Sequence, residues 1–302
     1  MSILVVGSVA YDDLETPAGI RKRALGGAAA HFAASASFFT NVRLVGVVGH
    51  DFEDEHINFF KSRNICLKGL KFVPNGKTFY WKGRYGNQLN EAENLETHLG
   101  VFADFKPSLP DEYKNSEYLF LACILPELQI DVLRQVKNPK FTACDTREFF
   151  INGEPEAVKK VMGKVDAVII NDQEARLVSG EWNLVKAAKY IRSIGPKILV
   201  IKRGEYGAAL FTDSGMFCAP AMPLPEVKDP TGAGDSFAGG FMGHLARTGI
   251  VDEENLRRAV IVGSTMASFH VEDFSLDRLR TLTWAEIENR MKHFKELSHF
   301  EL

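Results

Sequence analysis

Short apolar runs recur along the chain, separated by longer stretches of mixed character. Residues 3–7 form a β-branched run ending in Gly, and residues 42–48, 118–122, 141–144, 165–170 and 197–201 form further runs. Short, nearly continuous apolar runs read as strands buried on both faces. Residues 127–137, 154–163 and 182–194 carry helical spacing between them, and another helix leads from the 50s to about residue 63. This alternation predicts an α/β fold, a doubly wound and mostly parallel sheet with helices on both faces. Residues 72–105 break the pattern. KTFYWKGRYG is dense in aromatics and charge, HLGVFADF follows, and both are expected as exposed strands off the main sheet.

Residues 229–245, DPTGAGDSFAGGFMGHL, carry the strongest chemical signal. Pro230 disfavours the α region at Asp229, so the preceding element ends there. Thr231 is the expected cap. Gly232, Ala233 and Gly234 leave a backbone that another group can approach closely. From Ser236 onward, Phe237, Phe241 and Leu245 recur at helical spacing. A helix start has unpaired N–H groups and a partial positive charge, which suits an anion. Asp235 stands at the same point, where a carboxylate can serve as general base beside an oxyanion or phosphate site. A plain capped helix with small residues for close packing is the competing reading.

Other candidates lie just past apolar runs, where open α/β sheets bind ligands. Asp12 and Asp13 follow the first run, and a carboxylate can accept two hydrogen bonds from hydroxyls. Gly26 and Gly27 precede an Ala-rich helix. Asn171 and Glu174 follow the run at 165–170 and can either form a capping box or hold Mg2+ through its waters. Lys202, Gly204 and Gly207 lie in a turn after the run at 197–201, and Ser264 sits in a small-residue helix over 253–269.

Composition narrows the class without naming a reaction. The 302 residues are 45% hydrophobic and 25% charged, with a net charge of −3, which gives no signal for a polyanionic partner. The four cysteines are widely spaced and are expected as reduced, buried thiols. No basic n-region and no long apolar span is present, so a cytoplasmic location is expected. Gly76-Lys77-Thr78 lacks the first glycine of a P-loop. The glycines of residues 232–234 fail the dinucleotide fingerprint, which weighs against a dehydrogenase.

The motif DPTGAGDSFAGGF resembles the C-terminal signature of the ribokinase-like (PfkB) family of sugar and nucleoside kinases. Further motifs follow the family order across nearly the whole chain. The resemblance implies one ribokinase-like kinase domain over 1–302, with lid segments at approximately 9–25 and 72–105. It implies ATP and Mg2+ as cofactors, K+ near Asp229, and transfer of the γ-phosphate to a primary hydroxyl of a furanose sugar or sugar derivative. A nucleoside kinase of the same family is the alternative, and a catalytically silent sensor of sugars or nucleosides is a second. Asp235 would be the base. Gly232, Ala233 and Gly234 would donate amides to the phosphoryl group. Asp12, Gly26, Gly27 and His31 would hold the acceptor, with His31 standing where the family usually has Asn. Lys202, Gly204, Gly207, Thr231 and Ser264 would contact the nucleotide, and Asn171 and Glu174 would steer Mg2+. A homodimer through the lid is a further expectation.

Overall fold

The computed structural model describes residues 1–299. In chain order its strands are β1 (Ser2–Val6), β2 (Ala10–Thr16), β3 (Gly19–Gly26), β4 (Asn41–Gly49), β5 (Ile65–Val73), β6 (Phe79–Tyr85), β7 (Ala92–His98), β8 (Tyr118–Leu121), β9 (Phe141–Cys144), β10 (Ala167–Asn171), β11 (Ile198–Lys202), β12 (Ala208–Thr212) and β13 (Gly215–Ala219). The helices are α1 (Ala28–Ala36), α2 (Asp54–Ser62), α3 (Pro126–Gln135), α4 (Glu148–Gly153), α5 (Pro155–Met162), α6 (Asp172–Ser179), α7 (Leu184–Ile194), α8 (Ala233–Thr248), α9 (Glu253–His270), α10 (Asp277–Thr281) and α11 (Trp284–Ser298).

Nine strands form the main sheet in the order β13-β12-β11-β10-β9-β8-β1-β4-β5. The pairs from β5 to β11 are parallel, and β12 and β13 close one edge antiparallel. β1 shows why the apolar runs lack alternation. Ile3 and Val5 pack into a core with α1, α8 and α9, while Leu4 and Val6 pack into a second core with α3, α5 and α7. The inner strands thus bury both faces, as a doubly wound sheet requires.

A second sheet, β3-β2-β6-β7, stands apart from the first. Two expectations for this region need correction. Phe72 belongs to β5, the edge strand of the main sheet, where Lys68 and Lys71 hide it among polar sequence. Gly100–Asp104 is a 3-10 helix and not a strand. The cysteines are free, but only Cys144 is buried and Cys218 is exposed, which corrects the expectation of four buried thiols. Among the described residues, no helix is long and apolar enough to cross a membrane.

Candidate active site

The C-terminal ends of β1, β8, β9, β10 and β11 open on one side of the main sheet, and the loop before α8 faces them. The parallel strands aim their following residues into this crevice, which is why acids after apolar runs gather there.

Gly232 is the N-cap of α8 and has φ 78°, a left-handed conformation that suits glycine. A side chain is excluded twice over, because a Cβ there would stand 2.4 Å from the His31 ring. Thr231 does not cap the helix, in contrast to the expectation. Its hydroxyl instead donates to Tyr85 Oη at 3.0 Å, and its N–H donates to Asp229 Oδ1 at 2.9 Å. The amides also divide differently from the expectation. The Ala233 N–H is committed to the Pro230 carbonyl at 3.1 Å, whereas Gly232, Gly234 and Asp235 donate their N–H groups to no described residue. Three free amides at the start of a 16-residue helix fit an anionic phosphoryl group.

Lys202 reinforces that fit. Its Nζ lies 2.6 Å from where a Cβ on Gly234 would stand, so glycine is what lets the ammonium reach the helix start. Asp235 follows in the first turn. Burial pushes its carboxyl up to about 6, against the pull of Lys202 and Arg147. Asp145, just past β9, is driven well above the ordinary carboxylate range by burial and by the charge of Asp235. Asp145 is therefore the more readily protonated of the two, and its presence lowers Asp235 relative to burial alone.

Asn171 and Glu174 form the full capping box of α6. Glu174 N–H donates to Asn171 Oδ1 at 2.7 Å, and Asn171 N–H donates to Glu174 Oε2 at 2.8 Å. Glu174 is nonetheless buried and raised by desolvation, with Lys202, Arg147 and Asp235 as charged neighbours. Its second oxygen makes no hydrogen bond to a described residue, so the chemistry of this donor suits a water of hydrated Mg2+.

At the other end of the crevice, Asp12 is buried and pushed up to about 8, first by desolvation and then by Asp229. Gly26 is what makes room for it, since a Cβ there would meet Asp12 Oδ2 at 2.0 Å. Gly27 starts α1 with φ 95°, and Ser8 Oγ accepts the Ala28 N–H at 3.0 Å in place of a side-chain cap. His31 is buried beneath Gly232, and neither ring nitrogen finds a hydrogen-bond partner. Gly204 and Gly207 both have positive φ in the β11–β12 turn, and α9, which carries the buried Ser264, packs on β12 and β13.

Two functional candidates escaped the sequence. Asp145 and Arg147 follow β9 as Asp12 follows β1, so position past an apolar run was an available signal. Arg147 is exposed to the crevice, and its charge acts on Asp12 and Asp235 alike. Tyr85 has an aromatic ring suited to a base, and only the folded small sheet brings its hydroxyl to Thr231.

The monovalent cation expected near Asp229 meets a different arrangement. Asp229 has 0% exposure, and both of its oxygens accept backbone N–H groups, from Thr231 and from Ser275 at 2.8 Å. The Thr231 carbonyl is already bound by His270 Nε2 at 2.5 Å. These groups do not fit a cation site.

A crevice with a buried carboxylate beside free amides, and a second buried acid at its other end, suits phosphoryl transfer to an alcohol acceptor. The comparisons place it more closely. The pfkB family carbohydrate kinase domain matches residues 2–279, and the chain belongs to that family. It is 30% identical over 254 residues to the cytidine kinase of Thermococcus kodakarensis, covering 82% of this chain and 89% of that one. The nucleoside kinase of Burkholderia thailandensis solved with inosine superposes with a TM-score of 0.81 at 19% identity, over 99% of this chain and 100% of that one. The aminoimidazole riboside kinase of Salmonella enterica, solved with its riboside and an ATP analogue, gives 0.79 at 19% identity, over 96% and 100%. The chain is thus a ribokinase-family sugar or nucleoside kinase.

Proposed function

We propose that this kinase phosphorylates a nucleoside, with ATP and Mg2+ as the donor complex. The observation that carries the reading is the register of the small sheet. Asp12 on β2 pairs with Trp81 on the parallel strand β6, so the two side chains share one face. The Trp81 ring lies across Gly83, whose Cβ would meet it at 2.1 Å, and Tyr85 follows two residues on along the same face. An aromatic face beside a hydroxyl-binding carboxylate suits a base attached to a ribose. Phe32 is fully buried against Phe120 and offers no such face. The similarity to a cytidine kinase supports the same reading.

ATP would place its phosphates at the free amides of Gly232, Gly234 and Asp235 with Lys202 beside them, and its base near the turn of Gly204 and Gly207. Mg2+, steered by Glu174 and Asn171, would supply charge neutralisation on the phosphates. Asp12 holds the ribose hydroxyls. Asp235 takes the proton of the attacking hydroxyl. The small sheet covers the crevice and excludes water, and its outer face is the candidate dimer surface. Isothermal titration tests the acceptor class. Cytidine, uridine or adenosine should bind at least tenfold tighter than ribose, and Trp81→Ala should remove most of that margin. Equal binding of ribose and nucleosides would return the assignment to a sugar.

A further inference from the structure

The loop that carries the free amides needs something to hold its shape. Residues 229–232 lie between the two ends of the crevice, and Pro230 and Gly232 leave little regular structure to fix them. The expected holder in this family is a monovalent cation, and the groups around Asp229 do not fit one. The structure supplies a different holder. His270, the last residue of α9, is buried with 0% exposure. Its Nε2 contacts the Thr231 carbonyl at 2.5 Å, and its Nδ1 contacts Ser236 Oγ at 2.9 Å. A carbonyl only accepts, so Nε2 carries the proton. Burial holds the imidazole below its usual range, so at neutral pH it is uncharged, Nδ1 accepts, and Ser236 Oγ–H donates to it.

One ring thus bridges the loop before Gly232 to the first turn of α8 after it. The bridge is anchored on both sides. Ser35 on α1 donates to the Ser236 carbonyl at 2.6 Å. Ser275, just past α9, donates its N–H to Asp229 and its hydroxyl to the Leu25 carbonyl at 2.5 Å. His31 packs edge-on against His270, with ring centroids 5.0 Å apart, and fills the space beneath Gly232. Both Asp229 oxygens and the Thr231 carbonyl already face a nitrogen donor each.

We propose that the His270 imidazole, and not a monovalent cation, holds the Asp229–Gly232 loop in the shape that aims its amides at the transferring phosphoryl group, so that this kinase works without K+. His270 is a positioning residue, since it touches the loop and not the substrate. The proposal rests on the kinase assignment and not on which acceptor is used.

The test compares K+ with tetramethylammonium at equal ionic strength. For the native chain, the melting temperature without nucleotide and the kcat with ATP·Mg2+ should be the same in both salts. His270→Gln keeps an N–H donor that can reach Thr231 and should retain most of kcat. His270→Ala should lose at least tenfold in kcat with little change in the acceptor KM, and K+ should raise its melting temperature by filling the vacated position. A native chain whose melting temperature or kcat rises specifically with K+ overturns the proposal. A His270→Gln variant as impaired as His270→Ala overturns it as well. Failure of the nucleoside assignment would leave the melting comparison unaffected, so the two are separable.

Discussion

Thr231 and Tyr85 are joined by a hydroxyl–hydroxyl bond of 3.0 Å across 146 residues of sequence. It ties the small sheet to the loop that carries the amides. The neighbouring loop adds two further ties. Gln173 donates to Glu91 at 2.9 Å, and Asn90 lies 2.3 Å from where a Cβ on Gly204 would stand. The small sheet is therefore bonded to the loop before α8 and to α6, and it approaches the β11–β12 turn.

Tyr85→Phe removes the bond to Thr231 and keeps the ring. A lid that closes less well admits water. We expect a several-fold higher acceptor KM and a larger share of ATP hydrolysed without phosphorylated acceptor. A product-to-ADP ratio of one in this variant would show that the bond has no part in closure.

Asp235 carries a carboxyl near 6. A base acts when deprotonated, so kcat should rise with pH through about 6 and then level off. Asp235→Asn should lose about 10²–10⁴-fold in kcat while still binding ATP. Asp145 lowers the Asp235 carboxyl, so Asp145→Ala should move the acid limb to higher pH. A limb that stays in place would break the link between the two carboxyls.

Asp12 gives a prediction about stability. Its carboxyl sits near 8 in the folded chain against 3.8 for the free group. The folded state thus binds the extra proton, and the contribution to stability is fully present below about 4 and lost as pH rises toward 8. Asp12→Asn should raise the melting temperature more at pH 8 than at pH 5, while weakening acceptor binding. An equal shift at both values would mean that Asp12 is not buried as a carboxyl.

Glu174→Gln separates the two roles of the capping box. Gln also satisfies the box, so the melting temperature should hold within about 1–2 °C. The Mg2+ concentration for half-maximal rate should rise several-fold. An unchanged Mg2+ titration with unchanged stability would leave Glu174 as a cap alone.

The parallel sheet was legible because buried strands of this fold are short apolar runs, and every such run became a strand. β5 was not, because an edge strand interrupted by Lys68, Gly69 and Lys71 resembles a surface loop. The signature loop was legible in residue type, yet the N–H of Ala233 turns inward, which follows from the left-handed turn at Gly232 and not from composition. Asp145 and Arg147 were missed although their position past β9 carried the same signal as Asp12. The Tyr85 and His270 contacts span 146 and 39 residues, and no local pattern reports such pairings.

The most direct measurement is the initial rate of ADP formation with ATP and Mg2+ over cytidine, uridine, adenosine, inosine, ribose and fructose, with Asp235→Asn as control. The account predicts turnover of at least one nucleoside with kcat/KM at least a hundredfold above either free sugar, abolished in the control. Comparable or better turnover of ribose or fructose would contradict it.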